Sequence, residues 1–422
     1  MNDKNDVHLD IYLDRQVLHV GEGNEVYCYY EGTQSTAAKR RYEKIKKTLS
    51  SDYLQNKLNA INEVDYTELS DENKDLLEAL VRGVSSEKGR GLLGVAFLQI
   101  VIKAITPEQS VRLHKTSWVE GISMRSLNSK YTGVFLKENG FLNSNKFGSF
   151  MTRTLAENYP YSKLYKAKME GPFDEWIAVV DALENNTMPA ELALSYLMML
   201  MKNNSDKFKR LAGDTVKLAQ EYTVVDFSTV QRLMTDFYSS TYGKARAFEV
   251  VMHGLMQALA EMDIIGDSEL VPLSQMRSAN KKHGNVGDIE FARDEIIIEA
   301  WDAKYGKTYL WDELDELRDK LNNNPDVEIA GFVADKDVDR TADIKDKIHD
   351  VSMDTSTDIV ICSFDEWVEL KTRNLATEDR NLAAKKWLIA VVETFALKRP
   401  KYAPIEEPSE IWLQDISKLL RT

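Results

Sequence analysis

GNVGDIEFARDEIIIEAWDAKYGK, residues 284–307, contains the pattern on which the interpretation of the fold depends. The strand-like stretch 295–298, in which Ile296, Ile297 and Ile298 are apolar and β-branched, leads toward Asp302-Ala303-Lys304, where a carboxylate and an ammonium follow apolar neighbours. Such runs favour strands, and buried charges are costly unless they are paired or bound to a metal. The sequence therefore predicts a strand whose charged end residues are paired with other charges or bound to a metal.

The same stretch predicts a β-hairpin. Strands at 288–291 and 295–305 are expected around a turn at Arg293-Asp294. Side chains alternate along a strand, so Asp302 and Lys304 are predicted on one face. Asp288 opens the first strand and is expected near Asp302, although their separation along the chain is expected to require the second strand to run past the first or to bend.

The sequence around this hairpin predicts an α+β fold. A helix pattern at 245–262 precedes the hairpin, and strand and helix patterns alternate after it: helix 311–321, strand 327–334, helix 341–349 and strand 358–363. This order predicts a mixed β-sheet flanked by helices, with an α/β-type core, in a domain at 241–422. A mainly helical N-terminal region is expected at 1–172, followed by a helical connecting region at 173–240.

Two carboxylates and a lysine at a strand end suit hydrolysis of a phosphodiester. Mg²⁺ prefers oxygen ligands, so Asp288, Asp302 and a phosphate oxygen would complete much of its shell. The metal lowers the pKa of bound water, and Lys304 would orient that water and stabilise the transition state. Without metal, the two carboxylates repel and one tends to take a proton. The alternative is a solvated strand end with an ordinary ion pair.

GDI at 287–289 together with IIIEAWDAK at 296–304 resembles the signature of the PD-(D/E)xK nuclease superfamily. Gly287 stands where Pro is common, and Asp302 stands where Glu is more frequent. These nucleases often carry a Glu on a helix before the first catalytic strand, so the resemblance implies a catalytic role for Glu249. The alternative is that Glu249 is plain helix surface near an N-terminus, where acids are favoured. Glu290 shares a face with Asp288 and is expected to be exposed to solvent rather than an auxiliary ligand.

Other segments resemble type II restriction endonucleases. SQMRSAN at 274–280 is similar to the loop before their catalytic strand, and ISMRSL at 122–127, KENG at 137–140 and NYPY at 158–161 resemble the recognition region of SacI-type enzymes. The resemblance implies a restriction-endonuclease-like fold and a Mg²⁺-dependent, sequence-specific endonuclease of double-stranded DNA. It also implies a homodimer on palindromic sites and a separate DNA methyltransferase that protects host DNA.

Two other functions remain open on the sequence alone. One is a DNA-repair or junction-resolving nuclease of the same superfamily, which would read damage or branching instead of a base sequence. The other is a non-catalytic DNA-binding protein that retains the fold, which the intact set of Asp288, Asp302 and Lys304 disfavours.

Basic residues in the N-terminal half are the predicted DNA contacts. Lysine and arginine neutralise phosphates, and arginine also reads base edges. The predicted contacts are Arg125, Lys130, Lys146 and Arg153 in the polar segment 115–172, and Lys39, Arg40 and Arg41 in a basic helix at 35–49. The alternative in each case is an ordinary solvated surface.

Composition narrows the class of protein. The formal net charge of −14 argues against a protein that coats nucleic acid without specificity, but it leaves room for local basic clusters. No run approaches the ~20 apolar residues of a membrane span, and the start lacks the features of a signal peptide. Cys28 and Cys362 stand far apart, so neither a disulfide framework nor a structural zinc site is expected, and a cytoplasmic location is predicted.

Overall fold

The chain folds into two compact units, Met1–Lys207 and Phe208–Thr422. The computed structural model describes residues 7–20, 25–84, 89–141, 153–223, 226–274, 285–405 and 409–422. The boundary between the units falls within the predicted connecting region 173–240. Among the described residues, no helix has both the length and the apolar character that a membrane crossing requires.

The first unit contains a three-stranded antiparallel sheet and a group of helices. Strands β1 (His8–Ile11), β2 (Arg15–Val20) and β3 (Glu25–Tyr30) pair in chain order. The helices are α1 (Thr36–Leu49), α2 (Tyr53–Asn59), α3 (Asp71–Arg82), α4 (Arg90–Ile105), α5 (Met124–Leu127), α6 (Gly133–Glu138), α7 (Phe173–Glu184) and α8 (Ala190–Glu221), the last of which continues past Lys207. Short helical turns also occur at Ile61–Glu63 and Asn128–Thr132.

Local sequence explains where these elements begin and what they bury. The Ser35 hydroxyl accepts a hydrogen bond from the backbone N–H of Ala38 and so caps α1. Helix α4 has no charged residue between Leu92 and Ile102, and that whole stretch is buried. On the small sheet, one face buries Leu18 against Trp118, which leaves the other face toward solvent.

The second unit is built on a five-stranded mixed sheet. Its strands are β4 (Glu269–Leu270), β5 (Ile289–Arg293), β6 (Ile296–Lys304), β7 (Ile329–Ala334) and β8 (Asp358–Ser363), in the order β4-β5-β6-β7-β8. Strands β4, β5 and β6 pair with one another antiparallel, whereas the β6–β7 and β7–β8 pairs are parallel. The mixed sheet with flanking helices confirms the predicted α+β class.

Helices cover both faces of this sheet. They are α9 (Phe227–Ser240), α10 (Lys244–Ala260), α11 (Trp311–Asn322), α12 (Ala342–Thr355), α13 (Phe364–Thr372), α14 (Thr377–Phe395) and α15 (Ser409–Leu419). Ile289 and Trp301 belong to the core formed with α9, α10 and α14. Ala300 and Phe332 point to the other face, where leucines of α11 complete a second core. Asp302 is two residues from Ala300 and therefore lies on the α11 face.

The hairpin of β5 and β6 differs from the prediction in the position of its turn, whereas its register brings Asp288 near Asp302 as expected. Asp294 and Glu295 form the turn, with φ values of 51° and 66°, one residue later than predicted. Ile289 pairs with Trp301, so Asp288 lies directly opposite Asp302. As expected, β6 continues past the paired part of β5, from Asp302 to Lys304. A register shift between Phe291 and Ala292 also gives β6 one extra residue, and this places Asp302 rather than Trp301 opposite Asp288.

Candidate active site

Asp288 and Asp302 form a pair of carboxyl groups at the end of the hairpin. The backbone N–H of Asp288 donates to the carbonyl of Trp301 over 2.9 Å, and Oδ2 of Asp288 accepts from the backbone N–H of Ala303 over 3.0 Å. Each of the two carboxyl groups lies close enough to shift the pKa of the other. The strand pairing therefore brings the two predicted ligands together on one face of the sheet.

The pKa values of the two carboxyl groups are shifted in opposite directions. Burial, followed by repulsion from Asp302 and Glu249, holds the pKa of Asp288 well above its usual range. Burial would also raise the pKa of Asp302, but the contact with Asp288 and the nearby ammonium groups outweigh it and lower that pKa. Without a cation, the proton of the pair therefore resides on Asp288 while Asp302 stays ionised.

Two lysines surround Asp302. Lys304 Nζ lies 3.0 Å from Asp302 Oδ2 and 5.2 Å from the centre of the Phe332 ring. Lys320 Nζ, from α11, lies 3.8 Å from the same carboxylate oxygen and donates to the carbonyl of Val286 over 3.0 Å. The sequence predicted Lys304 but missed Lys320. The sequence feature that could have indicated Lys320 is its place on α11 next to Leu321 and three residues after Leu317, both of which are buried.

Glu249 lies near the pair but outside it. Its side chain is 20% exposed and accepts from Arg246, whose buried guanidinium also donates to the carbonyl of Ser274. The charge of Glu249 contributes to the raised pKa of Asp288. Within the described part of the chain, however, no group of three ligand atoms within 4.8 Å of one another includes Glu249. Glu249 is therefore neither plain helix surface nor a third member of the carboxylate pair.

Glu290 is buried, so the expectation of solvent exposure was wrong. Its side chain is on the same face as Asp288, and its Oε1 accepts from the backbone N–H groups of Val286 and Gly287 at 2.6 and 3.2 Å. Burial raises its pKa. Glu290 thus fixes the segment that leads into Asp288 instead of facing a ligand.

Gly287 is required by a close backbone approach. A Cβ atom at this position would lie 2.7 Å from the carbonyl oxygen of Trp301 and 2.9 Å from its backbone nitrogen. Real side chains do not tolerate such distances, so the residue before Asp288 has to be glycine here. This explains in physical terms why the sequence departs from the more common proline.

Helix α1 presents a basic face to solvent. Lys39, Arg40, Lys44 and Lys47 are exposed, and none of them forms an ion pair with another described residue. Arg41 is different: it pairs with Glu120 and donates to Gln109 over 2.8 Å. The predicted contacts Lys39 and Arg40 are therefore available to a phosphate, whereas Arg41 is engaged within the first unit.

The predicted contacts of the polar segment are also on the surface. Arg125, Lys130 and Arg153 are exposed, and Arg153 donates to the carbonyl of Lys168 over 3.5 Å. Lys146 lies outside the described residues. These basic positions belong to the first unit, whereas the carboxylate pair belongs to the second.

Comparison with known proteins adds no relative. Neither the protein-family models nor the curated proteins give a match to this chain. The chemistry of the site is therefore argued from its own geometry, which offers oxygen ligands for a hard divalent cation beside two ammonium groups.

Proposed function

We propose that the chain is a Mg²⁺-dependent endonuclease that hydrolyses phosphodiester bonds of double-stranded DNA. The observation that carries this proposal is the placement of Asp288 opposite Asp302 on adjacent strands, close enough that each shifts the pKa of the other, with Lys304 Nζ 3.0 Å from Asp302. An ordinary solvated strand end would not place two carboxylates opposite each other with one of them, Asp302, buried, because each raises the cost of ionising the other. A divalent cation would remove that cost.

The donor set fits magnesium. Asp288 and Asp302 would hold the ion through oxygen atoms, and Mg²⁺ when bound lowers the pKa of a coordinated water and offsets charge on the phosphate. Lys304 would place its ammonium group beside the attacking water and the phosphate oxygens. Lys320 and Glu290 would keep the two carboxylates in register, because each is hydrogen-bonded to the segment before Asp288.

The proposal specifies a restriction enzyme of type II within the PD-(D/E)xK superfamily. Support comes from the resemblance at 274–280 and in the segments between 122 and 161, and from the exposed basic residues of the first unit. A homodimer would supply one active site for each strand of a palindrome. Host DNA would then be protected by a separate methyltransferase, since a duplex-cutting enzyme needs such a partner.

Cleavage of plasmid DNA tests this function. Purified protein with Mg²⁺ is expected to produce discrete fragments, and EDTA is expected to abolish them. Lys304→Ala is expected to retain DNA binding and to cut at least ~100-fold more slowly, because a positioned group of this kind contributes about 10²–10⁴-fold. A Lys304→Ala variant that cuts normally would show that the lysine has been assigned the wrong role.

The rival functions give different products. A repair or junction-resolving nuclease would cut damaged or branched DNA and leave an intact plasmid duplex uncut. A non-catalytic DNA-binding protein would bind duplex without cutting any of these substrates in Mg²⁺.

Asp358→Asn is a matched control for Asp302→Asn, because Asp358 is an exposed aspartate at the opposite end of the parallel strands of the same sheet. The control is expected to cut as the natural chain does.

A further inference from the structure

Three metal-ligating side chains meet on the small sheet of the first unit. One ligand atom from each of His8, Asp10 and His19 lies within 4.8 Å of the others. His8 and His19 are directly opposed across β1 and β2, and their rings stack at 3.9 Å with an angle of 11°. His19 Nε2 is 3.0 Å from Asp10 Oδ2.

The register of the sheet places all three residues on its solvent face. Leu18, the neighbour of His19 in β2, is buried on the core face with Trp118, so His19 and its cross-strand partners face the other way. Fold stability does not require histidine here, because the cores formed by the described residues include none of the residues on this face. The chain contains six histidines and two cysteines, yet two of the histidines and the exposed Cys28 occur on this one small face.

We propose that His8, Asp10 and His19 form a binding site for Zn²⁺ or a similar divalent transition-metal ion. Imidazole nitrogens with one carboxylate are a usual ligand set for such ions, whereas Mg²⁺ prefers oxygen ligands alone. Three protein ligands leave a coordination position for water or a further ligand. The bound ion would join β1 to β2.

The three side chains are already close together, and binding requires the two stacked rings to turn so that each aims a nitrogen at the ion, because imidazole nitrogens donate in the plane of the ring. The backbone pairing fixes His8 opposite His19, so bringing the two rings together costs little additional conformational entropy. The hydrogen bond between Asp10 and His19 holds the third ligand beside them. This site is independent of the proposed nuclease function, since it lies in the first unit and uses none of the hairpin residues 288–304.

Titration of the full chain with Co²⁺, a spectroscopic substitute for Zn²⁺, tests this site. The Asp288→Asn variant is the background, because it removes a ligand from the other candidate metal site. Co²⁺ is expected to produce visible absorption that Zn²⁺ abolishes and excess Mg²⁺ does not. His8→Ala and His19→Ala are each expected to weaken binding by about tenfold or more, the effect of losing one of three ligands.

His349→Ala is the matched control, because His349 is an exposed histidine on α12 of the second unit. It should leave Co²⁺ binding unchanged. If either substitution in β1 or β2 disturbs the sheet, as judged by circular dichroism, Asp10→Asn provides the second variant and should also weaken binding. Co²⁺ affinity that is unchanged in all three ligand variants, or weaker than about 1 mM in the background chain, would overturn the proposal.

Discussion

At the scale of single residues, Asp288 is expected to destabilise the metal-free protein at neutral and alkaline pH. A group whose pKa is raised by folding stabilises the fold below its unfolded value of about 3.9 and loses that contribution as pH rises through the folded value. Asp288 has such a raised pKa because of burial and of Asp302 and Glu249. Its ionised form is therefore a cost at pH 8.

Asp288→Asn should consequently raise the free energy of unfolding in EDTA at pH 8 by roughly 1–2 kcal/mol, a common size for a single substitution. Asparagine can still accept from the N–H of Ala303 and can donate to Asp302. The gain should shrink toward pH 4, where Asp288 is protonated. Urea denaturation at both pH values measures this, and Mg²⁺ should stabilise only the natural chain. A variant less stable at pH 8 than the natural chain would contradict the account.

Lys320 is predicted to be a positioning residue. It bridges Asp302 and the carbonyl of Val286, so its removal should loosen the segment that carries Asp288. Lys320→Met is expected to reduce cleavage by about 10- to 100-fold, the usual cost of losing a group that orients metal ligands, and to raise the Mg²⁺ concentration needed for half-maximal rate.

Single-turnover cleavage over a range of Mg²⁺ concentrations separates this effect from a general loss of stability. Lys345→Met is the matched control, because Lys345 is an exposed helical lysine on α12. An unchanged Mg²⁺ requirement in Lys320→Met would show that this lysine does not position the carboxylates.

The sequence revealed the residues whose spacing along one strand carries the chemistry, and it missed those that act across elements. Asp302 and Lys304 could be placed together because side chains two apart on a strand share a face. Lys320 reaches Asp302 only because α11 packs on that face, and nothing in the order of residues specifies this contact. Glu290 was misjudged because its partners are backbone N–H groups, which have no sequence signature.

At the scale of elements, the turn between β5 and β6 is strained by a non-glycine residue. Glu295 has φ of 66° and follows Asp294 with φ of 51°, a pair of positive values that hairpin turns of this kind usually give to Asn and Gly. Glu295→Gly should relieve the contact between Cβ and the backbone and stabilise the protein by about 1 kcal/mol.

Thermal or urea unfolding measures the effect of Glu295→Gly. Gly266→Ala is a useful converse control, because Gly266 has φ of 68° with no atom within 4 Å of an added Cβ. That substitution should be destabilising through backbone conformation alone. If Glu295→Gly lowers stability, the turn conformation assigned to Glu295 is wrong.

Most elements around the site could be predicted, because they carry strong periodic patterns. The predicted strand 358–363 coincides with β8, and the predicted helix 311–321 coincides with α11 to within one residue. Within the predicted helical connecting region 173–240, the long helix α8 runs without interruption, since the polar residues in its middle are not helix breakers. Helix α13 was missed, although Ser363 and Glu366 form a capping box that the sequence contains.

At the scale of the whole molecule, charge is distributed unevenly despite the net value of −14. The exposed face of α1 concentrates four cations that are not paired with other described residues: Lys39, Arg40, Lys44 and Lys47. Replacing all four with glutamine should weaken DNA binding and reduce the slope of log affinity against log salt by about 0.9 for each phosphate that the helix no longer neutralises.

Binding of a duplex at several salt concentrations measures this slope. Lys74 and Lys202 provide the control, because each already forms an ion pair within the first unit and their replacement should leave the slope unchanged. An α1 variant with the natural slope would mean that this face does not touch the DNA backbone. The net charge of the chain does not indicate the basic face of α1, because the acidic residues in the rest of the chain outnumber the basic ones.

The turn at Asp294-Glu295 also offers a position for a reporter group. Glu295 and Asp302 are seven positions apart along the chain, which corresponds to roughly 20 Å at the rise of an extended chain. A cysteine introduced at Glu295, with the exposed Cys28 replaced by serine and Cys362 buried, would accept a single fluorescent dye. Energy transfer from that dye to a labelled duplex would then report how the hairpin approaches its substrate, without altering the groups that would do the cutting.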